Sequence, residues 1–289
     1  MKGLWTVWTP EKTMETYARA LKQFFKFLSA NNISRPDRKD IVCFKDRMKA
    51  THKPTTVQNY IVVVKLFFSR AEQEGLYKNI ASKIKGPKLS KEHKKDYLTS
   101  NQVKAVLSGV GANTLKDLRN YAVLSLMVTG GLRTVEVSRA DAEGIKIVGS
   151  NTVLYIRGKG REEKTDYIKI QPMVETAVRN YLKASGKKLG LKEPLFSSIS
   201  NNGKGERLSV RSVGGIVKSR LIKAGFNSER LTAHSLRHTA ITPTLLGGQT
   251  LQEAQRFARH TNIATTQIYA HNLDRAENKC EEVIAKAIF

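Results

Sequence analysis

DLRNYAVLSLMVTGG, residues 117–131, predicts a buried helix that ends at the glycine pair Gly130–Gly131. Glycine commonly ends a helix because it takes the left-handed backbone conformation without a steric penalty. Upstream, Thr99 and Gln102 have the spacing of a capping box, which predicts that another helix begins at this point. The larger, C-terminal part of the chain is therefore expected to begin with helices.

Three short segments downstream alternate apolar and polar residues between Ile145 and Ile170, as strands do. They are IKIV, NTVLYIR and TDYIKI, and the turn between the last two is formed by Gly158–Arg161. Helical patterns return over residues 172–185, 209–224, 235–246, 251–258 and 263–269, and a last one covers about 273–288. The predicted fold class is mainly α with a small antiparallel β-sheet (α+β).

The N-terminal part has a simpler helical pattern. Residues 12–28 and 55–74 place apolar and aromatic side chains at helical spacing, with basic residues on the opposite faces. A lysine-rich segment that contains Gly86–Pro87 follows and predicts a linker. We therefore expect a helical domain over residues 10–85, a linker over 86–96 and a second domain over 97–289.

The charge of the chain is strongly positive. Its 289 residues include 50 Lys and Arg against 25 Asp and Glu, which leaves a net charge of +25. Such an excess attracts polyanions, and nucleic acid is the first candidate partner. An acidic membrane surface is the second, but no stretch reaches the roughly 18 apolar residues of a membrane span. Because the N-terminus lacks a signal-peptide pattern and the only cysteines are Cys43 and Cys280, we expect a cytoplasmic protein with reduced thiols.

Side chains that could take part in catalysis or bind a ligand are concentrated near the C-terminus. Four of the six histidines lie within the last 56 residues, together with Arg237, Arg259 and Tyr269. His234 lies three residues before Arg237 and four before His238, so these side chains are neighbours on one predicted helix. The same spacing would suit two zinc ligands, although Ser235 stands where the H-E-x-x-H motif has its glutamate. A histidine that merely caps the start of a helix is the other alternative.

Two further cations stand beside glycines. Arg133 follows the Gly130–Gly131 pair, and we expect it to point into a cleft, held by Glu136 three residues later. An ordinary surface salt bridge, which contributes little to stability, is the alternative. Lys159 lies between two glycines in the predicted hairpin turn, which suits a mobile catalytic lysine and also an ordinary soluble turn.

Two Arg, a Lys, two His and a Tyr would together form a site for a phosphate group, with no carboxylate cluster for Mg²⁺. Arginine forks bind phosphate oxygens in pairs and stabilise the added charge of a pentacoordinate phosphorus. A tyrosine has an ordinary pKa of about 10 and becomes a nucleophile only beside a base or a cationic cluster. A sugar alkoxide leaving group needs a proton from a general acid. The set predicts transesterification of a DNA phosphodiester without a metal ion or other cofactor.

In this order, the motifs resemble those of the tyrosine recombinases, or phage integrase family, and especially its short Xer-like members. They are G-L-R-x-x-E at Gly131–Glu136, the lysine of the hairpin turn, H-x-L-R-H at His234–His238, and a histidine, His260, nine residues before Tyr269. The resemblance covers nearly the whole chain and implies a site-specific DNA recombinase or integrase. The implied catalytic residues are Arg133, Lys159, His234, Arg237, His260 and Tyr269.

The resemblance also implies how these residues act. Tyr269 attacks the scissile phosphate and forms a 3′-phosphotyrosyl link, while Arg133 and Arg237 clamp the non-bridging oxygens. His260 adds a hydrogen bond to the same phosphate. Four such exchanges between two duplexes would recombine them through a Holliday junction, and no ATP is implied.

Two residues are implied to move protons: His234 takes the proton of the phenol, and Lys159 protonates the departing 5′ oxygen. The family architecture implies a C-shaped clamp on double-stranded DNA, with a SAM-like core-binding domain over residues 10–85. It also implies a homotetramer in which the last helix, Asn272–Phe289, packs on a neighbouring protomer. The implied setting is the cytoplasm of a bacterium, as a nucleoid-associated host, phage or mobile-element protein.

Two features depart from the family pattern. Ala258–Arg259 stands where members often have Leu-Gly, and Arg259 either adds a phosphate contact or faces solvent. Pro243 lies inside the helix that follows Arg237 and is expected to bend it, since proline removes a backbone donor. Two other functions stay open: a DNA-binding protein of this fold without chemistry, and a type IB topoisomerase that relaxes DNA.

Overall fold

The computed structural model describes residues 11–89, 96–158, 163–201, 203–270, 284–285 and 287–288. The chain forms two compact units, Met1–Glu92 and His93–Phe289, each of which has its own hydrophobic core. The fold is mainly helical with one small antiparallel sheet, so the predicted fold class is confirmed. None of the helices in the described part of the chain combines the length and apolar character that a membrane span requires.

Three helices make up the described part of the first unit: α1 (Glu11–Ala30), α2 (Arg38–Thr51) and α3 (Pro54–Gln73). The prediction of α1 and α3 is confirmed, whereas α2 is missing from the sequence prediction. This helix begins at a capping box, in which the Asp37 carboxylate accepts hydrogen bonds from the backbone N–H groups of Lys39 and Asp40. Such a cap satisfies backbone donors that the first turn of a helix leaves without partners.

Aromatic side chains form the core of this unit. Phe24 of α1 is fully buried, and its ring contacts those of Phe44 on α2 and Phe68 on α3 at centroid distances of 5.1 and 6.0 Å. Both pairs meet edge to face, an arrangement that aromatic rings favour. The aromatic stripes in the sequence therefore pack the three helices against one another.

The second unit begins with α4 (Ser100–Ser108), α5 (Leu115–Gly130) and α6 (Thr134–Ser138). The predicted capping box of α4 is confirmed, because the side chains of Thr99 and Gln102 each accept a hydrogen bond from the other residue's backbone N–H. α5 is the central helix, with a nearly continuous buried run from Ala122 to Met127, and it packs on two later helices, α7 (Pro172–Ala184) and α9 (Ala233–Leu246).

The sheet has the order β1 (Ile145–Val148), β2 (Asn151–Ile156) and β3 (Asp166–Lys169), with both pairs antiparallel. Leu154 of the middle strand is fully buried and lies opposite Ile145 on one side and Ile168 on the other. The turn between β2 and β3 includes residues 159–162, so Lys159 lies outside the described residues.

The five helices predicted after the sheet are all present: α7, α8 (Val210–Lys223), α9, α10 (Leu251–Ala258) and α11 (Ile263–Ala270). Pro243 lies inside α9 and does not end it, since the helix continues to Leu246. The helix predicted over about 273–288 falls mostly outside the described residues; of it, residues 284–285 and 287–288 are helical.

The central position of α5 leads to a test of the core. Leu124 is fully buried in α5, so Leu124→Ala should lower the free energy of unfolding by about 2–5 kcal/mol, through lost apolar burial and the cavity that remains. Urea unfolding followed by circular dichroism measures this change. Ile147→Ala, at a β1 side chain that is 76% exposed, is the control and should change stability by less than about 0.5 kcal/mol. Equal effects of the two substitutions would contradict the proposed core.

Candidate active site

Four segments that are distant in sequence meet at the C-terminal end of α5. Gly131 takes a left-handed conformation, with φ of 57°, and turns the chain so that Arg133 stands at the start of α6. A methyl group at Gly131 would lie 3.2 Å from the ring of Phe257 on α10, so a larger residue would also crowd this helix. α9, α10 and α11 pack together beside the turn and supply Arg237, His260 and Tyr269.

The carboxylate of Glu136 is the centre of this arrangement and is almost completely buried. Its Oε1 accepts a hydrogen bond from Nη1 of Arg133 at 2.9 Å, and its Oε2 accepts one from the backbone N–H of the same residue at 2.8 Å. The prediction that Glu136 holds Arg133 is therefore confirmed. Nη2 of Arg259 donates to Oε2 at 3.2 Å, and Nη1 of Arg237 lies 4.0 Å from this oxygen. We call Arg133, Arg237 and Arg259 the arginine cluster.

Arg237 is fully buried, which is unusual for an arginine. Its two Nη atoms donate hydrogen bonds to the backbone carbonyls of Gly131 and Ala258, so it joins the end of α5 to the end of α10. Burial lowers the pKa of Arg237 to about 10, and the charges of Arg133 and Arg259 act in the same direction. The guanidinium remains charged at neutral pH, with a single carboxylate shared among three arginines.

Tyr269 lies against the arginine cluster. Its side chain is close enough to Arg237 and Arg133 for their charges to act on the phenol, and its ring contacts those of His238 and His260 at centroid distances of 4.5 and 5.8 Å. Only 3% of the residue is exposed. Burial raises the pKa of Tyr269, while the charges of Arg237 and Arg133 oppose this effect. The phenol is therefore protonated at neutral pH, and any reaction as a nucleophile requires a base to take its proton.

His260 follows Arg259 and is also mostly buried. Its Nδ1 shares a hydrogen bond of 2.9 Å with the hydroxyl of Thr266, which holds the orientation of the ring. Burial lowers the pKa of His260 to about 4, and the nearby Arg237 and Arg133 lower it further. The imidazole is therefore neutral at pH 7 and offers a polar ring nitrogen to the site without adding another charge.

His234 stands at the exposed start of α9, where its ring contacts that of His238 at a centroid distance of 4.8 Å. Its charge is close enough to lower the pKa of His260, so it belongs to the same neighbourhood. Within the described ranges, no group of three or more His, Cys, Asp or Glu side chains could hold a metal ion. The structure therefore adds no third ligand to the zinc spacing of His234 and His238.

A cleft of about 240 Å³ opens beside these residues. It is lined by Arg133, Glu136, Ile156, Gly158, Asp166, Arg259, His260, Thr261 and Thr265. Gly158 directly precedes Lys159 in the chain, and its carbonyl accepts a hydrogen bond from Arg139 at 3.4 Å. The prediction that Arg133 points into a cleft is confirmed by its place in this lining.

Five of the six predicted residues come together here, and the sixth, Lys159, lies outside the described residues. The contact of His238 with Tyr269 was not predicted from the sequence, although the position of His238 four residues after His234 was a signal for it. Nothing in the sequence pattern indicated that Thr266 orients His260 or that Asp166 lines the cleft. Of the two alternatives for Arg259, a phosphate contact or exposure to solvent, the second is wrong, because only 8% of its side chain is exposed.

The arrangement can bind an anion next to a phenol. Three guanidinium groups share one carboxylate, which leaves positive charge for a bound anion such as a phosphate group. The phenol of Tyr269 lies at the same cluster, where the charges of Arg237 and Arg133 act on it. These are the parts that an attack of tyrosine on a phosphodiester requires.

Comparisons with known proteins agree with this chemistry. The profile described as Phage integrase family matches residues 96–276, and the profile described as Phage integrase, N-terminal SAM-like domain matches residues 9–75. Tyrosine recombinase XerC of Chlamydia muridarum (strain MoPn / Nigg) is 29% identical over 272 residues, which covers 91% of this chain and 79% of that relative. XerC of Chlamydia trachomatis serovar D is 30% identical over 230 residues, which covers 78% of this chain and 70% of that relative.

The fold is also similar to that of XerH site-specific recombinase, whose crystal structure was solved bound to its palindromic difH substrate after cleavage. The two structures superpose with a TM-score of 0.77 at 20% sequence identity, over 95% of this chain and 80% of XerH. The matched profile spans the arginine cluster and Tyr269, and the XerC relatives extend the match to most of the chain. The protein therefore belongs to the phage integrase family and is a tyrosine site-specific recombinase.

Proposed function

We propose that this recombinase binds specific sites in double-stranded DNA and exchanges strands through a covalent link between Tyr269 and a 3′ phosphate. The observation that carries the proposal is the position of Tyr269: its ring packs on those of His238 and His260, and its phenol is close enough to Arg237 and Arg133 for their charges to act on it. A phosphate held by Arg133 and Arg237 would lie beside the phenol. The proposed catalytic residues are Arg133, Lys159, His234, Arg237, His260 and Tyr269.

In the proposed reaction the phenolic oxygen of Tyr269 attacks phosphorus and the bond to the 5′ oxygen breaks. The proton of the phenol passes to His234, and Lys159 supplies a proton to the departing 5′ oxygen. The energy of the phosphodiester is kept in the protein–DNA ester, so a 5′ hydroxyl from another strand can reverse the step. Two rounds of paired exchange would join two duplexes through a Holliday junction and then resolve it.

The electrostatics of the site support different roles for Tyr269, His260 and Arg237. Because burial raises the pKa of Tyr269, attack requires that its proton be removed as the new bond forms. Because the pKa of His260 is lowered to about 4, this residue acts as a neutral hydrogen-bonding group toward the phosphate. Arg237 keeps its charge at neutral pH and stabilises the additional negative charge of the transition state.

The proposed DNA partner is supported by charge as well as by relatives. The net charge is +25, and residues 1–96 have 21 basic against 9 acidic side chains. We propose residues 10–85 as the core-binding domain, 86–96 as a linker and 97–289 as the catalytic domain. We also propose that four protomers assemble on two DNA sites through the C-terminal segment Asn272–Phe289, and that the protein acts at the bacterial nucleoid.

The nucleophile can be tested with a nicked, end-labelled duplex that carries the sequence which the protein selects from a random DNA library. We expect a covalent adduct on a denaturing gel in the presence of EDTA, and its loss in Tyr269→Phe, because phenylalanine has no oxygen to attack phosphorus. Tyr155→Phe, at a half-buried tyrosine of β2, is the matched control and should keep the adduct.

Three outcomes separate the alternatives. An adduct that persists in Tyr269→Phe would show that another residue is the nucleophile. Binding without an adduct in the wild-type protein would favour a DNA-binding protein without chemistry. Relaxation of supercoiled DNA without exchange between two duplexes would favour topoisomerase activity.

The general acid can be tested separately. Lys159→Ala should slow adduct formation on an ordinary phosphodiester by about 10²–10⁴-fold, the contribution typical of general acid–base catalysis. A substrate with sulfur in place of the 5′ bridging oxygen should restore the rate, because a thiol with a pKa of about 8.5 leaves without protonation. Lys169→Ala, at an exposed lysine of β3, is the control. A defect in Lys159→Ala that is equally large on both substrates would assign this lysine another role.

DNA affinity should depend steeply on salt concentration. If binding neutralises roughly ten phosphates, the logarithm of the association constant should fall with the logarithm of salt concentration at a slope of about −9. Fluorescence anisotropy between about 50 and 200 mM salt measures this slope. A nearly flat dependence would contradict a binding surface built from basic side chains.

A further inference from the structure

Arg259 has an unusual backbone conformation at the end of α10. Its φ is 54°, and among the described residues other than glycine only Asn32 shares a positive φ. This left-handed conformation is unfavourable for a residue with a side chain, whereas glycine adopts it freely. The side chain of Arg259 must therefore make contacts that compensate for the conformation.

Those contacts use both terminal nitrogens of the guanidinium. Nη1 donates to the carbonyl of Phe257 at 2.8 Å and to that of Gly130 at 3.3 Å. Nη2 donates to the carbonyl of Gly131 at 3.1 Å and to Oε2 of Glu136 at 3.2 Å. Nε is buried and has no hydrogen-bond partner among the described residues. Arg259 therefore has few donors left for a bound phosphate and instead connects α10 to the turn that precedes Arg133.

The same contacts bear on the other two arginines. Oε2 of Glu136 is occupied by Arg259 and by the backbone N–H of Arg133, and Arg237 stays 4.0 Å away from it. Arg237 and Arg259 also donate to the same carbonyl, that of Gly131. If Arg259 were absent, Oε2 would lose one of its two hydrogen-bond donors, and a shift of about 1 Å would bring Nη1 of Arg237 from 4.0 Å to hydrogen-bond distance.

We propose that Arg259 is a positioning residue for the phosphate clamp: by occupying Glu136 and the carbonyls of Gly130 and Gly131, it prevents Arg237 from closing onto the carboxylate. Arg133 and Arg237 then both remain directed at the non-bridging oxygens of the phosphate. This role rests on the proposed function, because Arg259 can position the clamp only if Arg133 and Arg237 hold the scissile phosphate. A misplacement of about 1 Å in such a site can lower the rate of reaction about 100-fold.

Two variants at this position test the proposal. Arg259→Gly removes the side chain and leaves a residue that favours the left-handed conformation, so the backbone should keep its path. Arg259→Lys keeps the charge but not the planar fork, and it serves as a second variant if the glycine variant folds poorly. Arg119→Met is the matched control, because Arg119 is buried in the same unit and donates to the carbonyl of Ser197 at 3.0 Å, away from the cleft.

Each protein is assayed at saturating concentration on two nicked duplexes, one with an ordinary phosphate and one with a methylphosphonate at the cleavage position. A methylphosphonate lacks one of the two non-bridging oxygens that the clamp holds. On the phosphate substrate, adduct formation should be about 100-fold slower in Arg259→Gly, with DNA affinity unchanged. On the methylphosphonate substrate, the rates of the wild-type protein and of Arg259→Gly should differ by less than about 5-fold. The loss of the oxygen and the loss of the Arg259 side chain weaken the same interaction, so their effects on the rate are not additive. Arg259→Lys should show an intermediate loss, and Arg119→Met should react at the wild-type rate on both substrates.

The outcomes separate this inference from the proposed function. A wild-type protein that forms no adduct would overturn the proposed function itself. Where the wild type reacts, an unchanged rate in Arg259→Gly would overturn the positioning role. An equal loss on both substrates would also overturn it, since Arg259 would then contribute to the fold and not to the clamp.

Discussion

The active site depends on one buried carboxylate. Glu136 is almost fully removed from solvent and interacts with Arg133, three residues earlier, and with Arg237 and Arg259, which are distant in sequence. Burial alone would raise the pKa of Glu136, but Arg259, the backbone N–H of Arg133 and Arg237 together lower it, so the group stays ionised at neutral pH. A buried charge is tolerated only when it is paired and hydrogen-bonded, and three guanidinium groups this close would otherwise repel one another. Glu136 therefore holds the end of α5, the start of α6, α9 and the end of α10 in a single arrangement.

The balance of charge in this arrangement explains why it suits a phosphate. One carboxylate compensates for only part of the charge of three arginines, and burial together with this excess charge lowers the pKa of His260 and of Arg237. An anion that enters the cleft relieves this repulsion, and such binding stabilises the folded state. Tyr269 lies at the same place as an uncharged phenol, so the resting site carries no competing negative charge from the proposed nucleophile.

Much of the fold follows from local patterns. The spacing of apolar residues and the capping signals predicted α4 and α5, the three strands and the five helices after them. Each of these elements has a buried face with regular spacing or a clear signal at one end. α2 was missed because only Ile41, Phe44 and Met48 are buried along its 14 residues, and charged side chains dominate the segment. Its capping box between Asp37 and Asp40 was the local signal that could have identified it.

The sequence by itself determined the fold class, the order of the elements and the family, since these depend on spacing and residue type. It also brought the predicted site residues to notice, because arginines, histidines and a tyrosine are unusual in otherwise apolar helices. Only the tertiary structure decided that Arg259 joins Arg133 and Arg237 around Glu136 and that His238 contacts Tyr269. Arg259 meets its partners Glu136 and Gly130 across more than 120 residues of chain, and its left-handed conformation is stabilised by those contacts. Interactions at that separation depend on how the helices pack, which local periodicity does not encode.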